Sequence, residues 1–583
     1  KDGYGNLKTF DYAVANPPFS TKAWSNGFDP QHDIYKRFED GIPPNKNGDY
    51  AFLLHLIRSL KSNGKGAIIL PHGVLFRGNA EAEIRENLVK RGYIKGIIGL
   101  PPNLFYGTSI PACIIVIDKE NADARKGIFI VDASKGFIKD GNKNRLRHQD
   151  IHKIVDVFNN QLTIPKYSRM VPLAEIAHEK NDYNLNVPRY IENQIAEDIQ
   201  DIEAHILGGI PNRDIDDLEP YWQVYPTLRS KLFTAHDRAG YSALIPEQTQ
   251  IKASIYEHPE FKAFASNVDV IFNNWRNENT PVLKALQIDI KPKQVIRDAS
   301  ENILRAFAEI NLVDKYDVYQ HLMSYWAAVM QDDVYMIAVD GWLANPDLIP
   351  ANLIIARYFV AEQAAIDLLE ADHESVKSQI EEMEEEYGGE EGGLEQLKNG
   401  KGKITKGNVQ SRIMELRSSI LESLGTSAEQ KIAAKTIKKD FVKVKWQKGE
   451  KDENEFFAEL DVLYDYLMLV DGEAAAKKKF KNAKDELNKK VYAKYAELSE
   501  DEVKTLVVDD KWIVTLDNSV KTEMERISQA LTLRIKVLAE RYVLTLSELA
   551  SHISDLSIKV NNHLKNMGFE IPEREPLEVA VAR

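Results

Sequence analysis

At 583 residues, with 28% charged side chains and a formal net charge of -14, the chain is acidic and long enough for several folded regions. That balance excludes a uniformly basic nucleic-acid surface, though a local basic patch or a positively charged partner would still permit phosphate binding. A single cysteine, Cys113, excludes an intrachain disulfide framework and a cysteine metal cluster, and no apolar run or leader-like opening indicates a membrane span or secretory signal, so a cytoplasmic location is expected.

The chain opens without methionine, just ahead of a strand-like segment, and is expected to be a fragment whose numbering starts inside a domain. FDYAVA at 10–15 reads as a short strand ended by Asn16 and Pro17, since the residue before proline is biased away from helix. DYAFLLHLIRSLKSNGKG predicts a helix of three to four turns from Asp49, stopped by Asn63 and Gly64 ahead of a strand AIILP at 67–71. EAEIRENLVKRG is the next helix, and YIKGIIGL, PACIIVIDK and KGIFIVDAS are near-continuous apolar strands, the pattern of an α/β sheet covered on both faces.

A boundary is expected through YSRMVPLAEIAHEKNDYNLNVPRYI. Beyond it, YWQVYPTLRSKLF and DKYDVYQHLMSYWAAVMQDDVYMI read as helical, with aromatics that belong to cores rather than to base stacks. A helix over 355–386 runs into MEEEYGGEEGGLEQLKNGKGKITKG, an exposed junction. The lysine-rich stretches TIKKDFVKVKWQKGEKD and AAAKKKFKNAKDELNKKVYAKY read as solvated faces more readily than as phosphate contacts. Near the end, Met524, Ile527, Leu531, Ile535, Leu538, Tyr542, Leu546, Leu549, Ile553, Leu556, Val560 and Leu564 recur at steps of three and four, which predicts one long amphipathic helix or a packed pair.

The chemistry concentrates in NPPF at 16–19. An asparagine amide offers an acceptor to one hydrogen of an amine and a donor to another group, while the carbonyl of Pro17 can take the second hydrogen. The prolines stiffen the turn and add no competing donor, and Phe19 can stack on a planar base. Such a set suits an exocyclic amine on an aromatic ring, although an ordinary strand-to-loop turn with Phe19 in the core accounts for four residues equally well.

The stretches around it add to that reading. NPPF, YKRFEDGIPPNKNGDYAFLLH at 35–55, GKGAIILPHGVLFRG at 64–78, IIGLPPNLFYGTSIPACIIVI at 97–117 and NDYNLNVPRYI at 181–191 occur in an order that resembles the modification subunit of a type I restriction-modification system. DKYDVYQHLMSYWAAVMQDDVY at 314–335 and LSEDEVKTLVVDDKWI at 498–513 carry the resemblance into the tail. It implies a DNA adenine N6-methyltransferase that uses S-adenosylmethionine on a flipped base in double-stranded DNA.

Asn16 and the Pro17 carbonyl would hold the amine, with Pro18 shaping the turn and Phe19 stacking on adenine; Asp49, Tyr50 and Phe52 resemble a neighbouring pocket motif. The implied fold is the C-terminal part of a Rossmann-like methyltransferase domain followed by a large, mainly helical region with a long C-terminal amphipathic helix. Its divisions are expected at 1–165 (catalytic), 166–200 (connecting), 201–350 (mainly helical), 351–515 (helical and charged) and 516–583 (helical, for subunit assembly). The implied partners are a sequence-specificity subunit, a second modification subunit and a restriction subunit.

The glycine-rich cofactor motif that such subunits carry ahead of NPPF is not visible here, and DGYG at 2–5 is too short and misplaced to replace it. If these residues are the whole protein, poor or absent cofactor binding is expected, and a noncatalytic DNA-modification scaffold becomes the competing reading. A cytosine N4-methyltransferase is the nearest enzymatic alternative, because NPPF points to amine chemistry more than to one base. No histidine spacing indicates a metal, and the aspartates of QDD and VDD do not define a nuclease.

Overall fold

The computed structural model describes residues 1–192, 199–389, 393–400, 402–423 and 455–568. The lysine-rich stretch 436–452 lies outside the described residues, as do residues 390–392 of the paired-glycine junction. The chain divides into two compact units, one of Lys1–Val282, Lys291–Gln331 and the described part of Thr515–Arg583, the other of Leu283–Ile290 and Asp332–Val514.

The first unit is built on a six-stranded sheet. Its strands are β1 (Phe10–Ala15), β2 (Leu60–Pro71), β3 (Ile94–Gly99), β4 (Ala112–Asp118), β5 (Gly127–Asp132) and, after the small hairpin β6 (Ile138–Asp140) and β7 (Lys143–Arg145), β8 (Ser168–Pro172). The spatial order is β1-β2-β4-β3-β5-β8. β1 runs parallel to β2 and β3 parallel to β5, while β4 is antiparallel to both its neighbours and β8 antiparallel to β5. β1, β2, β3 and β5 therefore end at the same edge.

Helices α1 (Asp49–Arg58), α2 (Ala80–Lys90) and α3 (His148–Asn160) connect and cover the strands. One face buries Ile68, Leu70, Cys113, Ile115, Ile117 and Ile130 with Leu53, Leu54, Ile84 and Leu88 of α1 and α2. The other buries Ile98, Phe129 and Val131 with Ile154 and Val157 of α3, and Phe19 and Phe105 pack at its margin. The expected cover on both faces holds for the central strands; at β1 it stops, with Tyr12 76% and Val14 85% exposed.

The expected long helix from Asp49 is shorter than its apolar run suggests. α1 ends at Arg58, and LKSNGKG forms the first half of β2 instead of a last helical turn. Asn63 and Gly64 are thus inside a strand and do not act as a helix stop. The glycines are needed for close approach: a Cβ on Gly64 would lie 3.0 Å from the Phe10 carbonyl oxygen, and one on Gly66 2.9 Å from that of Ala13.

The rest of this unit is mainly helical and fastens onto α3. Helix α4 (Lys315–Tyr325) meets it through Lys315 to Asp156 at 3.0 Å, Lys153 to Asp314 at 2.9 Å and the Gln149 amide to Asp317 at 2.7 Å. The aromatics of the region, Trp222, Tyr225, Tyr316 and Trp326, are core residues, as expected.

In the second unit, α5 (Val360–Glu386) packs along α7 (Glu455–Tyr495), with α6 (Lys406–Ser423) against the end of the pair. Contacts from Glu362 to Lys490, His373 to Glu473 and Glu384 to Tyr466 fall in opposite numerical order, so the two helices are antiparallel. Three of the four QDD and VDD aspartates are tied into ion pairs: Asp333 with Lys511 at 2.7 Å, Asp509 with Lys284 and Asp510 with Arg357, both at 2.5 Å. A π-helical stretch, Thr505–Ile513, lets the consecutive side chains of Lys511 and Trp512 both reach Asp333.

The predicted terminal stripe resolves into a pair, α8 (Val514–Tyr542) and α9 (Leu546–Asn566), separated at Thr545, whose hydroxyl caps α9 in a reciprocal box with Glu548.

Candidate active site

NPPF leaves the C-terminal end of β1, where the sheet can no longer pair the chain because Pro17 and Pro18 lack amide hydrogens. Asn16 is exposed, Phe19 half-buried, and Ser20 turns the chain sharply in the left-handed region at φ 53°. That strained turn is held by Asp49. The Ser20 amide donates to Asp49 Oδ1 at 2.7 Å, and Arg77 donates from Nη1 to Asp49 Oδ2 at 2.9 Å. The Asp49 carboxylate is fully buried, so both bonds lie in a low-dielectric setting where an ionised acceptor binds strongly. Arg77 also reaches Glu81 at 3.3 Å, whose own carboxyl burial pushes above the ordinary range.

Tyr50 and Phe52 sit farther back. The Tyr50 hydroxyl donates to the Val74 carbonyl at 2.7 Å inside the core, and Phe52 packs against the α1 and α2 side of the sheet. Asp49 thus touches the loop that bears NPPF, whereas neither Tyr50 nor Phe52 lines the cleft in front of it.

That cleft, of about 420 Å³, is lined by Asn16, Pro17, Pro18 and Phe19 on one side and by Phe105, Tyr106, Gly107 and Thr108 on the other. The second group comes from the loop between β3 and β4. Phe19 and Phe105 meet edge to face with centroids 5.6 Å apart, and the Tyr106 ring is 94% exposed at the mouth. An amide, a constrained carbonyl and three rings around one opening suit a flat heterocycle bearing an amine. The sequence reading of the site omitted Phe105 to Thr108 and Arg77. Their signal was present: FYGT follows a strand parallel to β1, and loops at the carboxyl ends of parallel strands converge.

Cys113, on β4 behind the cleft, is buried, and burial pushes its thiol well above the ordinary range, so it offers no nucleophile.

Residues 1–199 match the family model for N-6 DNA Methylase. This segment is similar to the N-6 DNA methylase family. The chain is 33% identical over 217 residues to the methylase subunit of type I restriction enzyme MpnII from Mycoplasma pneumoniae, covering 36% of this chain and 39% of that protein. It is 37% identical over 190 residues to the MjaVII methylase subunit of Methanocaldococcus jannaschii, covering 31% and 32%. A crystal structure of a type I restriction-modification methyltransferase subunit from Streptococcus thermophilus is 38% identical over 33% of this chain and 40% of that one, with a TM-score of 0.30.

The chain therefore spans 39% and 32% of the length of the two curated relatives. The quoted motifs between residues 16 and 191 all fall within the matched segment, which is the α/β region expected ahead of a large helical one.

Proposed function

We propose that the chain is the modification subunit of a type I restriction-modification complex and methylates adenine N6 in double-stranded DNA. The observation that carries this reading is the cleft in which Asn16–Phe19 face Phe105–Thr108 at the carboxyl edge of an N-6 DNA methylase sheet.

A flipped adenine entering the cleft would give its amine hydrogens to Asn16 Oδ1 and the Pro17 carbonyl and lay its ring against Phe19. Unstacking the base costs a few kcal/mol, roughly, which contacts along the phosphate backbone offset. Fixing both hydrogens aims the nitrogen lone pair outward from the pocket, and alignment of this kind lowers the barrier without any covalent intermediate. Asn16 is a positioning group, since an amide is too weak a base to take the amine proton.

S-adenosylmethionine, the donor implied by the family, supplies an electrophilic methyl group. The cleft's own lining of one side-chain amide, two hydroxyls and three rings fits the base and not the charged amino-acid end of that donor, and no described residue is assigned to hold it.

Assembly with a specificity subunit, a second modification subunit and a restriction subunit belongs to the same proposal, with the specificity subunit choosing the DNA sequence. The apolar stripe of α9, exposed along its length, is the proposed surface for the specificity subunit. Among the described residues no helix is long and apolar enough to cross a membrane, and a cytoplasmic site of action is proposed with the rest.

The test is labelled methyl transfer to DNA by the full-length chain with its specificity subunit, followed by identification of the modified atom. Asn16→Ala is expected to abolish transfer while leaving assembly and DNA binding intact; undiminished transfer in that variant, or N4-methylcytosine as product, defeats the reading. Removal of α9 is expected to weaken assembly, and an undiminished complex would reject α9 as the docking helix.

A further inference from the structure

The loop that supplies Phe105 and Tyr106 is gripped from below by a single cation. Lys143, the first residue of β7, donates from Nζ to Asn103 Oδ1 at 3.0 Å, to the Phe105 carbonyl at 2.8 Å and to the Thr108 carbonyl at 3.0 Å. An ammonium has three N–H bonds, so one loop saturates it, and all three acceptors are uncharged oxygens. Asn144 extends the grip, with its amide side chain donating to the Pro102 carbonyl at 2.6 Å and its backbone N–H to the Asn103 carbonyl at 3.0 Å. Asn103 answers by donating to the Asn142 carbonyl at 2.6 Å.

The loop needs this help. Asn103 and Gly107 both lie in the left-handed region, at φ 57° and 78°, so the backbone reverses twice within five residues. The two carbonyls held by Lys143 bracket Tyr106 and Gly107, the part of the cleft wall that projects farthest into solvent.

We infer that Lys143 is a positioning residue for the target base, holding the Phe105–Thr108 wall opposite Asn16 through the carbonyls on either side of Tyr106. The assignment rests on the target-base reading of the cleft. Lys143 touches neither base nor donor; its effect passes through the loop. Methionine at 143 keeps an unbranched stem of similar length and removes every donor, whereas arginine restores donors in a fork.

The experiment compares Lys143→Met, Lys143→Arg and Asn16→Ala in the full-length chain with its specificity subunit, reading turnover on a duplex with adenine at the target position and base capture on the same duplex with 2-aminopurine there, which lacks the 6-amine and serves only as the fluorescent probe. Lys143→Met is expected to lower kcat about 100-fold, the scale set by an ångström of misplacement at a reacting centre. KM for DNA is expected to stay near wild type, because backbone contacts dominate affinity. The fluorescence rise that reports a captured, unstacked base should shrink in parallel, and Lys143→Arg should recover most of both signals. All variants are expected to unfold at the wild-type temperature.

Wild-type turnover and base capture in Lys143→Met overturn the assignment. Equal losses in both Lys143 variants together with a lowered unfolding temperature overturn it too, since they mark a purely structural lysine. If Asn16→Ala loses transfer while Lys143→Met does not, only the role of Lys143 falls; if Asn16→Ala keeps transfer, the target-base reading itself falls.

Discussion

Helices α8 and α9 follow one another with the same spacing of apolar residues and end in opposite surroundings. Along α8, Met524, Ile527, Leu531, Ile535, Leu538 and Tyr542 are buried in the first unit. Along α9, Leu546, Leu549, Ile553, Leu556 and Val560 are between 42% and 67% exposed, and no residue of the helix is buried. A period of 3.6 settles which residues share a face. What covers the face is decided by the rest of the fold: α8 finds apolar partners there, and the stripe of α9 is left to solvent. Exposed stripes of this kind mark surfaces for other molecules more often than they mark poor packing.

The contrast breaks first, if it breaks, at Ile535 of α8. Truncation to alanine there is expected to destabilise the first unit by about 3 kcal/mol, read from urea unfolding, because a fully buried branched side chain leaves a cavity. A change below about 0.5 kcal/mol, the scale of surface substitutions, would mean that α8 is no better covered than α9.

Acid should separate the two helices next. Burial of Glu523 on α8 opposes its ionisation, yet hydrogen bonds from His321 and Arg526 outweigh that penalty and hold its carboxyl at about 2. A carboxyl lowered in the folded state stabilises fully above its ordinary value of 4.5, and the contribution drains away as pH falls from there toward about 2. Glu523→Gln should flatten that part of the stability profile; an unchanged profile refutes the coupling. On α9, backbone and side-chain hydrogen bonds from Thr545 lower Glu548 in the same sense, but in full solvent, so acid is expected to fray the first turn of α9 and leave the core of the unit untouched.

A smaller effect is expected from Thr545→Ala, which removes the cap of α9 and should cost about 1 kcal/mol of local helix stability, visible as faster amide exchange over its first turn and nowhere in α8. Smallest of all is Ile553→Ala, expected to change unfolding by less than about 0.5 kcal/mol while weakening binding of the partner proposed for α9. Loss of stability there without loss of binding would reverse the roles given to the two helices.

Local signals carried the reading of the sequence furthest. FDYAVA followed by Asn16 and two prolines could end a strand and do little else, and Tyr316, Tyr319 and Trp326 sit in helical cores as expected, whereas Tyr335 is 48% exposed. The limit of α1 was hidden because the sequence shows glycine as punctuation, whereas Gly64 and Gly66 serve contacts with β1, a strand some fifty residues away in the chain. Half of the cleft was hidden for a related reason. Asn16 and Tyr106 meet only because β4 turns back between β2 and β3 and brings two distant loops to one edge, and the pairings of Arg77 with Asp49 and of Lys143 with Phe105 span 28 and 38 residues of sequence.

The burial of Cys113 has a practical side. The only thiol in this chain is shut inside the sheet and held in its protonated form, so it should resist maleimides and iodoacetamides under native conditions. A cysteine placed on the exposed face of α9 would then be the one reactive thiol here. A dye attached there could report whether a partner covers that helix, and how fast it leaves, without altering the residues around Asn16.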